Sequence, residues 1–108
     1  GTVTVIDWSS AGDTGSIRAY AFYQCKSLTT LTLPPGMTGS IGTYAFQSCS
    51  ALTSLVIQSP TMMTLTNTNA FTSTTCNIYV PDAIVATYKA ATNWTTLAAR
   101  IKPISELP

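Results

Sequence analysis

The feature that most constrains this chain is a match to itself: the stretch from Ser16 to Leu33 aligns without a gap on the stretch from Ser40 to Ile57, at an offset of 24 residues. Ile17 meets Ile41, Tyr20 meets Tyr44, Ala21-Phe22 meets Ala45-Phe46, Cys25 meets Cys49, and Leu28, Leu31 and Leu33 meet Leu52, Leu55 and Ile57. In a third, imperfect copy Leu65 stands near the isoleucine position, Ala70-Phe71 returns after 25 residues, and Ile78-Tyr79-Val80-Pro81 answers Leu31-Thr32-Leu33-Pro34. That copy is two residues shorter between its Phe and its strand. Ahead of the first copy, Thr2-Val3-Thr4-Val5 alternates as a strand does and reads as part of an incomplete repeat. A period this short marks an array of supersecondary units, none of which can bury its apolar face alone.

Alternation puts Leu31 and Leu33 inward and Thr30 and Thr32 outward. Stacked units then form a parallel sheet with strands about 4.8 Å apart, and the inward residues become columns. Val5, Leu33, Ile57 and Val80 are expected in one column, and Val3, Leu31, Leu55 and Ile78 in another. Phe22, Phe46 and Phe71 are expected to stack away from the sheet, where the chain turns. Pro34, Pro60 and Pro81 follow the strands, where a missing N–H stops the ladder. The fold class is therefore an α+β repeat solenoid, short and right-handed, with a parallel sheet on one face and a helical cap at the C-terminus. It forms one domain over 1–108: a partial repeat 1–15, repeats over about 16–39, 40–63 and 64–81, and the cap 82–108.

The cap is read from a change of pattern. Asp82 to Ala91 sets Ile84, Val85 and Tyr88 on one helical face behind Asp82 as N-cap. Asn93 is suited to cap a second helix through Trp94 and Leu97 to about Ala99, ended by Ile101 and Pro103. A terminal repeat needs such a lid, because it otherwise exposes apolar columns and a strand edge. Trp94 is accordingly read as a core plug ahead of a ligand platform. No comparable cap precedes Val3, so that edge is expected to adjoin further repeats or a partner chain.

Composition narrows function by exclusion. Charged residues are 8% of the chain, against roughly 25% in ordinary domains, while Thr and Ser number 20 and 11. A net charge of +1 offers no basic patch for a phosphate backbone, so no nucleic-acid partner is expected. No apolar run is long enough for a membrane span. The N-terminus lacks the pattern of a signal peptide, and Gly1 is read as the start of a trimmed or processed piece.

With no His and only Asp7, Asp13, Asp82 and Glu106 as carboxylates, no catalytic constellation, cofactor site or metal site is expected. Asp7 and Asp13 could pair as acid and base or hold a cation weakly, but a solvated loop is the better reading. Ser9, Ser10 and Ser16 have no base to activate them, and Gly12-x-x-Gly15 lacks phosphate-loop spacing. The three cysteines follow the repeat period, unlike the close pairs of a zinc site. They read as buried thiols, Cys76 out of register, although neighbouring coils could bring Cys25 and Cys49 within disulfide range.

The pattern I-G-x-x-A-F-x-x-C-x-x-L-x-x-L-x-L, complete from Ile41 to Ile57 and nearly so from Ile17 to Leu33, resembles the BspA-like leucine-rich repeat of bacterial surface proteins. The tail from Tyr79-Val80-Pro81-Asp82 through Tyr88-Lys89 and Trp94 to Ile101–Leu107 resembles the C-terminal cap of such proteins. Arg18 where the second copy has Gly42, and Thr66–Asn69 in a third copy without that Gly, depart from the pattern. The resemblance implies a secreted or cell-surface bacterial protein engaged in adhesion and protein binding, with no shared catalytic residues.

If the chain binds a partner, the open sheet face is expected to carry it. Stacking predicts a row of Thr4, Thr32, Val56 and Tyr79 beside a row of Thr2, Thr30, Ser54 and Asn77, with Tyr79 as the hot spot. A threonine ladder is equally what plain sheet surface looks like. The loop carrying Trp8, Asp13 and Arg18 is a second binding surface, unless Trp8 folds over the N-terminal coil. A host protein, matrix protein or glycan fits an adhesion module; a structural terminus of a longer repeat stalk is the alternative.

Overall fold

Thr and Leu alternate over Thr30–Leu33 (β1), and their burial alternates with them, Thr exposed and Leu buried. The computed structural model in which this is seen describes residues 17, 19, 20, 22–24, 26, 28–33 and 39–107. Strand β1 pairs in parallel with Ser54–Ile57 (β3), Thr30 against Ser54 and Leu33 against Ile57. β3 pairs in the same sense with Asn77–Val80 (β5). Among the described residues the inward columns have the expected members, Leu31, Leu55 and Ile78 in register and Leu33, Ile57 and Val80 each buried, while Val3 and Val5 lie outside the described residues.

A second ladder joins the repeats on another side. Ser40–Ile41 (β2) pairs in parallel with Thr64–Leu65 (β4), and Ile17 bridges to Ile41, so Ile17, Ile41 and Leu65 form a further buried column. A third ladder runs along the phenylalanine turn. Phe22 N–H donates to the Ala45 carbonyl and Phe46 N–H to the Ala70 carbonyl, both at 2.8 Å. The rings of Phe22, Phe46 and Phe71 stack at successive centroid distances of 5.2 Å, nearly parallel. An aromatic pair in such geometry contributes about 0.5–1.5 kcal/mol beyond its buried area.

The turn residues of this ladder are left-handed without being glycine: φ is 63° at Tyr20 and 58° at Tyr44, 58° at Gln24 and 60° at Ser48. Such backbone costs about 1–3 kcal/mol per residue and persists where its surroundings fix it. Here bonds between repeats do so, Tyr20 N–H to the Thr43 carbonyl and Gln24 N–H to the Gln47 carbonyl.

The cap departs from expectation in three ways. The single helix from Asp82 is a short 3₁₀ turn, Asp82–Ile84, followed by a six-residue α-helix, Val85–Ala90 (α1). Asp82 is not its N-cap; the carboxylate accepts a hydrogen bond from Ser105 N–H at 3.1 Å, which draws it toward the chain end. The second helix is 3₁₀ throughout, Trp94–Arg100, and Asn93 makes no side-chain cap bond because its amide is used elsewhere. Finally, Ile101–Pro103 forms a strand (β6) and does not merely end a helix. It pairs in parallel with β5, Ile78 against Ile101, completing the sheet order β1-β3-β5-β6. The region 82–108 is therefore not a purely helical lid, since Ile101 prolongs the Leu31–Leu55–Ile78 column.

Candidate functional site

On the outer sheet face the two rows stand in the expected register, Thr30–Ser54–Asn77 and Thr32–Val56–Tyr79. Thr30 and Thr32 are exposed, and Ser54 and Asn77 are half-buried. Val56 and Tyr79 overturn the open-face reading, being only 8% and 5% exposed. Both lie outside the main core cluster, as outward residues should. β6 supplies the reason: it places Lys102 beside Tyr79, so Tyr79 lies inside the sheet between Val56 and the stem of a lysine. Tyr79 is not an accessible hot spot. Thr4, with Thr2, and the loop residues Trp8, Asp13 and Arg18 fall outside the described residues, as does Cys25.

Among the described residues the exposed aromatic side chains are on the turns. Tyr20 is 55% and Tyr23 40% exposed, and Tyr44 is half-buried. The ring of Tyr20 stacks on Tyr44 at 5.1 Å and 24°, while Tyr23 stands edge-on to Tyr20 at 5.4 Å and 73°. The three rings make one aromatic cluster, exposed at Tyr20 and Tyr23. Tyr44 N–H donates to Asn69 Oδ1 at 3.3 Å, so the third repeat fixes the turn but supplies no ring. The Tyr20–Tyr44 match was visible as a mark of periodicity. Its outward display was not, because left-handed φ at these positions leaves no periodic signature.

A different chemistry closes the last repeat. Gly42 N–H donates to the Ile17 carbonyl and Thr66 N–H to the Ile41 carbonyl, and the equivalent Leu65 carbonyl accepts from Asn93 Nδ2 at 2.7 Å. Likewise the Gly39 carbonyl accepts from Thr64 N–H, and its counterpart Met63 accepts from Trp94 Nε1 at 2.9 Å. The Tyr88 hydroxyl accepts from Met63 N–H at 2.8 Å, and burial pushes its pKa up despite that bond. Arg100 covers the Thr74 carbonyl at 2.6 Å. Side chains of Asn93 and Trp94 thus bond carbonyls whose counterparts in the preceding repeat accept from backbone N–H groups, and Trp94 is fully buried against Phe71 and Tyr88. Beside it a half-open groove of about 260 Å³ is lined by Met62, Thr64, Leu65, Ala91, Thr92 and Trp94.

Cys49 and Cys76 are buried and serve packing. Cys49 Sγ donates to the Phe22 carbonyl at 2.9 Å, and Thr74 Oγ1 donates to the Phe46 carbonyl one repeat on. Thr74, not Cys76, is thus the third-repeat counterpart of Cys49, an equivalence legible at the offset of 25 that relates Phe46 to Phe71. Cys76 is buried just ahead of β5, and desolvation pushes its thiol up to about 12 against the pull of Arg100. It stays protonated at neutral pH, a poor nucleophile and metal ligand. From Ser27 to Pro81 the sequence holds no charged residue, so the repeat surface is one of hydroxyls, amides and tyrosines. No helix among the described residues is long and apolar enough to cross a membrane.

Neither a curated protein nor a solved structure matches the chain. The family model for the BspA type leucine rich repeat region (6 copies) matches residues 5–99. With in-register parallel strands, a phenylalanine ladder and that match over most of its length, the chain belongs to the BspA type leucine-rich repeat family.

Proposed function

We infer that this chain is a non-catalytic interaction module of a secreted or cell-surface bacterial protein, acting in adhesion. The family supports the coarse part of this reading, because BspA type repeats suggest protein-interaction modules of surface or secreted bacterial proteins. The observation that carries it is the tyrosine cluster: Tyr20, Tyr23 and Tyr44 are held on the turns by bonds within and between repeats and left accessible. Tyrosine gives large contact area at low entropic cost, and a rigid support lowers the cost of binding further. The exposed sheet residues Thr30 and Thr32, with Ser54 and Asn77 beside them, add hydroxyl and amide contacts at most. We further take the repeats to wind as a right-handed solenoid, the hand that parallel crossovers favour.

The test is binding of the immobilised chain to extracellular-matrix proteins and host-cell glycoproteins. The reading expects saturable binding that changes little between about 0.05 and 0.5 M salt, since the repeat surface has almost no charge to screen. The alternative, a structural terminus of a longer stalk, is favoured by the completeness of the cap bonds around Met63 and Leu65. It predicts that the chain binds nothing while a longer natural product does.

A further inference from the structure

Resting on the adhesion reading, we propose that the Tyr20–Tyr23–Tyr44 corner is a carbohydrate site that takes an uncharged pyranose end of a glycan. Tyr20, the most exposed of the three rings, has Tyr44 stacked on it at 5.1 Å and Tyr23 at 73° to it. The C–H face of a pyranose carries partial positive charge and is drawn to the negative face of an aromatic ring. A perpendicular second ring fixes the sugar's orientation on the first. Backbone bonds bring two residues with neutral side chains that both donate and accept next to the corner: Thr43, whose carbonyl holds Tyr20 N–H, and Gln47, whose N–H donates to the Tyr44 carbonyl. These two side chains are half-buried, hence partly ordered before a ligand arrives.

Charge decides between ligand classes. Lys26 is the charged residue described within the repeats, and none follows it before Asp82. Among the described repeat residues only the exposed Lys26 could offer an acidic glycan or a charged peptide an ionic contact, and a solvent-exposed pair is worth about 0–1 kcal/mol. Three rings spaced by 5.1 and 5.4 Å match one or two sugar rings. That is far less than the roughly 800 Å² per partner of a standard protein interface. The backbone adds a second line. Left-handed φ at Tyr20 and Tyr44 is a cost that Gly would avoid, and the third repeat does not incur it, since Asn69 at the corresponding place lies in a 3₁₀ turn without positive φ.

The experiment is an NMR titration of the chain with neutral oligosaccharides ending in glucose, galactose, mannose or N-acetylhexosamines, and with sialylated counterparts. Expected are shifts centred on the rings of Tyr20, Tyr23 and Tyr44 with at least one neutral series. Tyr20→Gly should weaken that binding by about tenfold or more, with an unchanged fold because glycine suits its φ. Tyr20→Phe, which keeps the ring, should bind within about threefold of the parent. Absence of shifts with every neutral sugar at millimolar concentration, shifts centred elsewhere, or preference for the sialylated series would each overturn the proposal. Partner proteins that bind the chain equally well after deglycosylation would sink the carbohydrate site and leave the adhesion reading standing. Failure of glycans and proteins alike would remove both.

Discussion

The indole N–H of Trp94 donates to the Met63 carbonyl at 2.9 Å, where the preceding repeat places the backbone N–H of Thr64 on Gly39. A side chain here does the work of a strand. Replacing it tests packing and hydrogen bonding separately. Trp94→Phe keeps much of the contact with Phe71 and Tyr88 but leaves the Met63 carbonyl short of a donor, and should cost about 1–3 kcal/mol. Trp94→Ala should cost about 3–5 kcal/mol. Urea unfolding followed by circular dichroism reads both, and a Trp94→Phe variant as stable as the parent would show that the bond contributes nothing.

Phe46 lies between Phe22 and Phe71, each 5.2 Å away. Phe46→Ala should therefore cost about 3–5 kcal/mol. A double-mutant cycle of Phe22→Leu with Phe46→Leu should show a coupling of about 0.5–1.5 kcal/mol. Additive losses in that cycle would mean that the rings act only as separate apolar volumes.

Thr74 Oγ1 donates to the Phe46 carbonyl and accepts from Cys49 N–H at 3.1 Å. Thr74→Val, nearly isosteric, removes both of these bonds, leaves the Cys49 N–H and the Phe46 carbonyl with their long 3.4 Å bond to each other, and should cost about 1–3 kcal/mol. Cys49→Thr should be tolerated, because the third repeat already uses a hydroxyl in that place. In the same samples Cys76, held up to about 12 by burial, should resist a thiol reagent at pH 8 until denaturant is added. Rapid labelling of Cys76 in the folded protein would contradict its burial.

Hydrogen bonds from Ser105, its side chain first and then its backbone amide, hold the exposed Asp82 carboxylate below its ordinary value. A depressed folded-state pKa means the contact contributes fully above the unfolded carboxylate pKa and is lost as pH falls through the folded value. Docking of the chain end should hold at neutral pH and loosen only in that acidic range. The amide resonance of Ser105 should report the transition, and Asp82→Ala should abolish it. A Ser105 shift that titrates unchanged in Asp82→Ala would assign the effect to another group.

The repeat columns were legible because alternation, period and register are local or translational properties. Leu31–Leu55–Ile78 and Phe22–Phe46–Phe71 follow from an offset alone. β6 was not legible: three residues, one of them Pro103, carry no periodic signal, and the strand exists because the cap returns Ile101 to the sheet. Tyr79 was misjudged for the same reason. Alternation tells which face a side chain points to and says nothing of what lies beside it there. The tyrosine corner needed φ values, which a residue name does not supply outside glycine and proline.

Because the bonds that Tyr88, Asn93 and Trp94 make to the repeats reach Met63 and Leu65, at the junction of the second and third copies, the region 82–107 makes few demands on how many units stand before it. Duplication or deletion of a whole unit ahead of Gly39 would leave every one of those contacts intact. Length is thus a freely evolvable trait in such an architecture, while its finishing piece can be inherited unaltered.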